Sequence, residues 1–167
     1  MSQPSISRRQ LLLGHRTEPY AGICPPGATI ETLLEACTGC GQCAERCPTD
    51  IIRLIGGLPS LDFMQGECTF CGECKEACPE PVFASGSVDR FRHIASVGDG
   101  CLAKQNVACQ SCGEVCPQQA IRFRPRIGGP FVPDLSADLC NGCGACLAVC
   151  PIGAIAIAPR NVEMADA

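Results

Sequence analysis

The sequence holds no tryptophan, one tyrosine, six phenylalanines and three methionines in 167 residues. A chain so poor in large apolar side chains cannot build a large core and must be stapled by something else. Positive charge is short as well: 13 Lys and Arg stand against 17 Asp and Glu, giving a net charge of −4. An acidic chain without a basic stripe or interleaved aromatics argues against a nucleic-acid binder. No window approaches the ~18 apolar residues of a membrane span, so the chain is not membrane-spanning. No Gly-x-Gly-x-x-Gly or Walker A loop is present, and so no nucleotide site. Nor is there a Cys-x-x-Cys-His haem motif. With no nucleophile–base constellation either, the chain reads as a non-enzyme.

What the sequence has in excess is cysteine. Its 17 cysteines are about one residue in ten, far above ordinary usage. The most regular group is Cys140-Asn-Gly-Cys143-Gly-Ala-Cys146-Leu-Ala-Val-Cys150-Pro151. Three closely spaced thiolates on one loop can face a single small inorganic object. The fourth leaves along a helical turn, and the proline, which cannot donate to that turn, redirects the chain. This spacing is the bacterial ligand run for a [4Fe–4S] cluster. Three further runs follow the same plan: Cys37, Cys40, Cys43, Cys47-Pro48; Cys68, Cys71, Cys74, Cys78-Pro79; and Cys101, Cys109, Cys112, Cys116-Pro117.

The compartment follows from the cysteines. Their count is odd, and the only apolar run near the N-terminus is Leu11–Leu13, far short of a secretory signal. A cytoplasmic protein is expected, in which thiols stay reduced and bind metal rather than pair as disulfides. Zinc sites prefer two Cys-x-x-Cys pairs, so three cysteines in register per loop would leave half the ligands surplus. A cube needs four thiolates, and in two-cluster ferredoxins the fourth cysteine of each run ligates the other cluster. On that rule the first cluster takes Cys37, Cys40, Cys43 and Cys78, and the second takes Cys68, Cys71, Cys74 and Cys47. The third takes Cys101, Cys109, Cys112 and Cys150, and the fourth takes Cys140, Cys143, Cys146 and Cys116. Four [4Fe–4S] clusters thus consume all the cysteines except Cys24, which stands alone outside any ligand spacing.

Aligning the runs on Cys-Pro superimposes Ile52, Phe83, Ile121 and Ile155, an internal duplication. The repeat predicts an α+β fold of two tandem two-cluster ferredoxin-like units, small, irregular and cluster-stabilised. Residues 1–28 form a basic arm and a Pro/Gly linker, 29–84 the first unit, 85–100 a junction, 101–158 the second unit and 159–167 a tail. A helix is expected over Thr29–Cys37. Ile51–Ile55 reads as a strand, with Gly56-Gly57 as the turn and Leu58–Phe63 as the return. In the second unit the strand is Gln119–Phe123, the turn Pro125–Pro130 and the return Phe131–Leu135. His93, alone in the junction, reads as structural or solvated.

Glycine follows the second cysteine in three runs, at Gly41, Gly72 and Gly144, where it lets backbone amides approach sulfur. The third run departs from this plan. Seven residues separate Cys101 from Cys109, and Gln110 stands where glycine is expected. The third cluster's environment is therefore the least regular of the four.

Ser7-Arg8-Arg9 resembles the start of a twin-arginine signal without its apolar segment, and reads as a solvated tail or a docking arm. Together with Cys68-Thr-Phe-Cys71, Gly98-Asp-Gly-Cys-Leu-Ala103, Ile121-Arg-Phe-Arg-Pro125 and Leu139-Cys-Asn-Gly-Cys-Gly-Ala-Cys146, it makes the sequence resemble the NapF-type ferredoxins of periplasmic nitrate reductase systems. Cys24 has no counterpart in that pattern. The resemblance implies a cytoplasmic iron–sulfur accessory protein. Its partner would be the precursor of the nitrate reductase catalytic subunit, whose cluster it would help to install or reduce before export. Arg8 and Arg9 would then be docking residues. The alternative is a polyferredoxin electron carrier serving a respiratory oxidoreductase.

Overall fold

The computed structural model describes residues 20–160. Arg8 and Arg9 lie outside the described residues. Helix α1, Ile30–Ala36, begins at a capping box: Thr32 N–H donates to Thr29 Oγ1 at 3.3 Å and Thr29 N–H donates to Thr32 Oγ1 at 3.0 Å. This satisfies two orphan donors of the first turn. Leu33 faces inward and is fully buried.

Each ligand run then makes a single helical turn: α2 Gln42–Glu45, α3 Glu73–Glu76, α4 Ser111–Glu114 and α5 Ala145–Ala148. These turns carry Cys43, Cys74, Cys112 and Cys146, the third cysteines of their runs. Three are entered through left-handed glycines, Gly41, Gly72 and Gly144, at φ of 84°, 83° and 87°. A Cβ is disfavoured there, which is why glycine recurs. Gln110 enters α4 at φ −134°, so the third loop takes another path.

The strands form three antiparallel pairs. β1 Ile52–Ile55 pairs with β2 Leu58–Leu61, with Ile52 opposite Leu61 and Ile55 opposite Leu58. Gly56 and Gly57 both have positive φ, 57° and 81°, as a two-residue hairpin turn requires. β4 Ile121–Arg126 pairs with β5 Gly129–Leu135. This hairpin corrects the expected turn over Pro125–Pro130: the strands run through both prolines and only Ile127-Gly128 turns. A two-stranded ribbon is all edge, so a proline lacking its N–H is tolerated there, and the ladder is irregular at Arg124/Arg126.

The third pair places regular structure within the expected junction, 85–100. His93–Val97 forms β3 and pairs with β6, Ile155–Pro159, with Ala95 opposite Ile157 and Val97 opposite Ile155. Pro159 and Arg160, placed in the expected tail, are tied to the rest of the chain. Pro159 closes β6, and Arg160 N–H donates to the Arg92 carbonyl at 3.0 Å. The Pro/Gly stretch before α1 is not a loose linker either. Tyr20 donates to the Pro59 carbonyl at 2.6 Å, Ile23 N–H to Ser60 Oγ at 3.1 Å, and Leu61 N–H to the Ile23 carbonyl at 2.8 Å. It covers β2, whose four residues are consequently all buried.

The core is divided into small clusters beside the cysteines. Ile51, Ile52, Leu61, Phe63 and Phe91 surround Cys74. Ala95, Ala120, Ile121 and Ile155 surround Cys112, Cys140 and Cys146. Leu33, Leu58 and Val82 form the third. The repeat positions Ile52, Ile121 and Ile155 are all buried, while Phe83 is half-buried.

Candidate metal centres

The cysteines gather around four recesses, each with between 340 and 390 Å³ of atom-free space including its open mouth. Cys37, Cys40 and Cys43 share one with Cys78. Cys68, Cys71 and Cys74 share the second with Cys47. Cys101, Cys109 and Cys112 share the third with Cys150. Cys140, Cys143 and Cys146 share the fourth with Cys116. In every case the fourth cysteine comes from the other run of its half, because the proline after it turns the chain away from its own loop.

That turn is built the same way three times. The amides of Asp50, Gln119 and Gly153 donate to the carbonyls of Cys47, Cys116 and Cys150 at 3.1, 3.0 and 3.2 Å. All three residues have positive φ, 52°, 49° and 60°. The next amide then points at sulfur: Ala120 N–H to Cys116 Sγ at 3.3 Å and Ala154 N–H to Cys150 Sγ at 3.1 Å. Pro81 stands at the equivalent place in the second run and cannot adopt positive φ. The chain there turns instead through a bond from Val82 N–H to the Glu80 carbonyl at 2.8 Å.

The electrostatics of the recesses suit an anionic sulfur set only when a cationic centre is bound. Burial, then the neighbouring cysteines, push the thiols of Cys74 and Cys146 up to about 12. Burial first, followed by lesser effects that include the charge on Cys143, pushes Cys68 up to about 11. Four thiolates gathered side by side, some of them buried, are unfavourable alone. Iron would supply the compensating charge, and the donor set of four sulfurs with amides directed at them fits a [4Fe–4S] cluster.

A model of the 4Fe-4S dicluster domain matches residues 36–82 and again 107–162. The ferredoxin-type protein NapF of Escherichia coli is 42% identical over 151 residues, covering 89% of this chain and 92% of that relative. NapF of Haemophilus influenzae is 38% identical over 167 residues, covering 93% and 95%. The chain belongs to the NapF-type ferredoxin family. More distant is the ferredoxin-type protein NapG of Escherichia coli, 32% identical over 166 residues, with 84% of this chain and 71% of that protein covered. This NapF-type chain is thus an iron–sulfur protein with [4Fe–4S] dicluster domains. Among its described residues no helix is long and apolar enough to cross a membrane.

The irregular third loop of this NapF-type chain is well fastened. Ala103 is fully buried. Lys104 Nζ donates to the Val97 carbonyl at 2.9 Å and to Asp99 Oδ1 at 3.3 Å. Gln105 Nε2 donates to the Asp99 carbonyl at 2.9 Å, and Arg126 donates to the carbonyl of Ala103 at 3.3 Å. These bonds fold the insertion into a compact knot that brings Cys101 to Cys109.

Cys24 lines none of the four recesses. It is half-buried in the third core cluster beside Cys37 and Cys78, and burial raises its thiol. His93 borders the fourth recess, but its Nε2–H donates to the Gly142 carbonyl at 3.0 Å, and burial lowers its pKa. It is structural, as expected.

Sequence reasoning missed the residues that hold the fourth loop. Asn141 is buried, and its Oδ1 accepts the Cys143 amide at 3.1 Å. Its carbonyl accepts the Phe91 amide at 2.8 Å. Asn before Gly in Cys-Asn-Gly-Cys is an Asx-turn signal that pointed to the first of these bonds. Arg160 reaches the carbonyls of Ala137 and Cys140 from the far end of the chain, and no local pattern announces it.

Proposed function

We propose that the chain binds four [4Fe–4S] clusters by crossed ligation in two tandem units. It would serve in the cytoplasm as an accessory protein for the precursor of the periplasmic nitrate reductase catalytic subunit. The observation that carries the cluster reading is the grouping of sixteen cysteines into four recesses, each completed from the partner run. The family relationship to the NapF proteins supports the nitrate reductase connection.

When bound, [4Fe–4S] clusters supply one-electron redox couples whose potentials depend on hydrogen bonds to sulfur and on solvent exposure. The chain's own residues govern both factors. Ala120 and Ala154 direct amides at Cys116 and Cys150. Cys140, Cys143 and Cys146 are buried, whereas Cys40 and Cys71 are exposed. The first and second recesses therefore open ligand edges to a partner, while the fourth keeps three of its four cysteines buried. Arg8 and Arg9 are the proposed docking residues for the precursor.

The test is an anaerobic pull-down of the cytoplasmic precursor with the holoprotein. Association that weakens in the Arg8→Ala/Arg9→Ala variant is expected. No association, together with rapid reduction and reoxidation by a respiratory donor, would replace the accessory role with that of a polyferredoxin carrier.

A further inference from the structure

The two halves meet at a place the internal repeat does not mark. The amide of Cys68 donates to the carbonyl of Cys143 at 2.8 Å. Cys68 opens the second ligand loop, and Cys143 lies in the middle of the fourth. Phe70, between Cys68 and Cys71, has φ of +56°, a backbone state that a bulky side chain adopts only when its surroundings enforce it. Its ring centroid lies 5.0 Å from that of Phe91, which in turn stacks on His93 at 4.6 Å with 12° between the planes. Phe70 lines the second recess and His93 the fourth, so three rings in contact span the gap between them. Phe63 stands edge-on to Phe91 at 6.1 Å and fills the space beside Gly144.

Within each half the recesses are neighbours by construction. Cys47 of the first run lines the second recess and Cys78 of the second run lines the first. Cys116 and Cys150 exchange in the same way between the third and fourth. The seam adds the missing link, and it joins the second recess to the fourth rather than to the third.

We propose that the cluster sites succeed one another in space in the order first, second, fourth, third, with Cys68 and Cys143 as the joint between the halves. This order rests on the crossed ligand assignment proposed above. It makes the first and third sites the two ends and the buried fourth loop an interior link.

The test uses the full chain, reconstituted anaerobically, in two double variants. Cys40→Ala/Cys109→Ala removes one ligand each from the first and third sites. Cys71→Ala/Cys143→Ala does the same for the second and fourth. Each variant should retain about eight irons. After dithionite reduction, low-temperature EPR of the first variant should show a split, broadened spectrum from two magnetically coupled centres. The second should show the plain sum of two isolated signals. An uncoupled spectrum in the first, or a coupled one in the second, overturns the order. An iron count that departs from about eight overturns instead the reading of one separate cluster for each ligand run, on which the order depends. Hydrogen exchange on the wild-type holoprotein reads the seam directly, whatever the variants do. The Cys68 amide should exchange roughly a hundredfold more slowly than an open-loop amide, and exchange at the open-loop rate contradicts the proposal.

Discussion

The ring of Phe63 occupies the space that a Cβ on Gly144 would need. At the equivalent place in the second run, Gly72 faces open space. Both have left-handed backbones, at φ +87° and +83°. Gly72→Ala therefore meets only the backbone penalty of about 1–2 kcal/mol. Gly144→Ala adds a clash in a buried seam, for a total of about 2–5 kcal/mol. Urea denaturation of the holoproteins under anaerobic conditions should separate the two variants. Equal losses would show that Phe63 yields freely and that the seam is loosely packed.

Gln119 holds a left-handed φ of 49° where the last run has Gly153. Gln119→Gly should raise stability by up to about 1 kcal/mol, the relieved strain less the extra chain entropy of glycine. Asp50→Gly, at φ 52°, should gain less, because Asp tolerates this conformation better. A shift of the urea midpoint downward for Gln119→Gly would mean that its side chain contributes more than its backbone costs.

The same positions show how much of this molecule was legible in its sequence. The ligand runs carry their own turn chemistry: a proline after the fourth cysteine in all four, a glycine after the second in three, and a left-handed residue two beyond the proline in three. The four runs of cysteines were thus readable from local spacing, whereas the fourth cysteine of each recess comes from the other run. What was not readable depended on distant partners. β3 hides a short apolar segment, Ile94-Ala95-Ser96-Val97, behind Arg90, Arg92 and His93, and only β6 makes it a strand. Pro125 and Pro130 looked like turn residues because proline usually stays out of paired strands, yet a ribbon of two edges accepts them. Phe63, Phe91 and His93 signal nothing singly, since their burial is created by the loop they pack on.

The fastening of the third loop gives a third prediction. Lys104→Met keeps the aliphatic stem but deletes the bonds to the Val97 carbonyl and Asp99. A charged donor to a backbone carbonyl contributes about 1–2 kcal/mol, so the knot that presents Cys101 should loosen. Chelator-driven iron release should then develop a fast phase of about one quarter of the total, one of the four proposed clusters. Release kinetics identical to wild type would show that the insertion holds its form without Lys104.

Crossed ligation is the central claim, and Cys150→Ala tests it most directly. Cys150 follows Cys140, Cys143 and Cys146 in sequence but lines the recess of Cys101, Cys109 and Cys112. Three variants, Cys150→Ala, Cys109→Ala and Cys143→Ala, should be reconstituted and reduced side by side. The EPR spectrum of Cys150→Ala should match that of Cys109→Ala, with the third cluster's signal lost and the fourth's retained. A match to Cys143→Ala instead would mean that Cys150 serves its own run, and the crossed arrangement would be wrong.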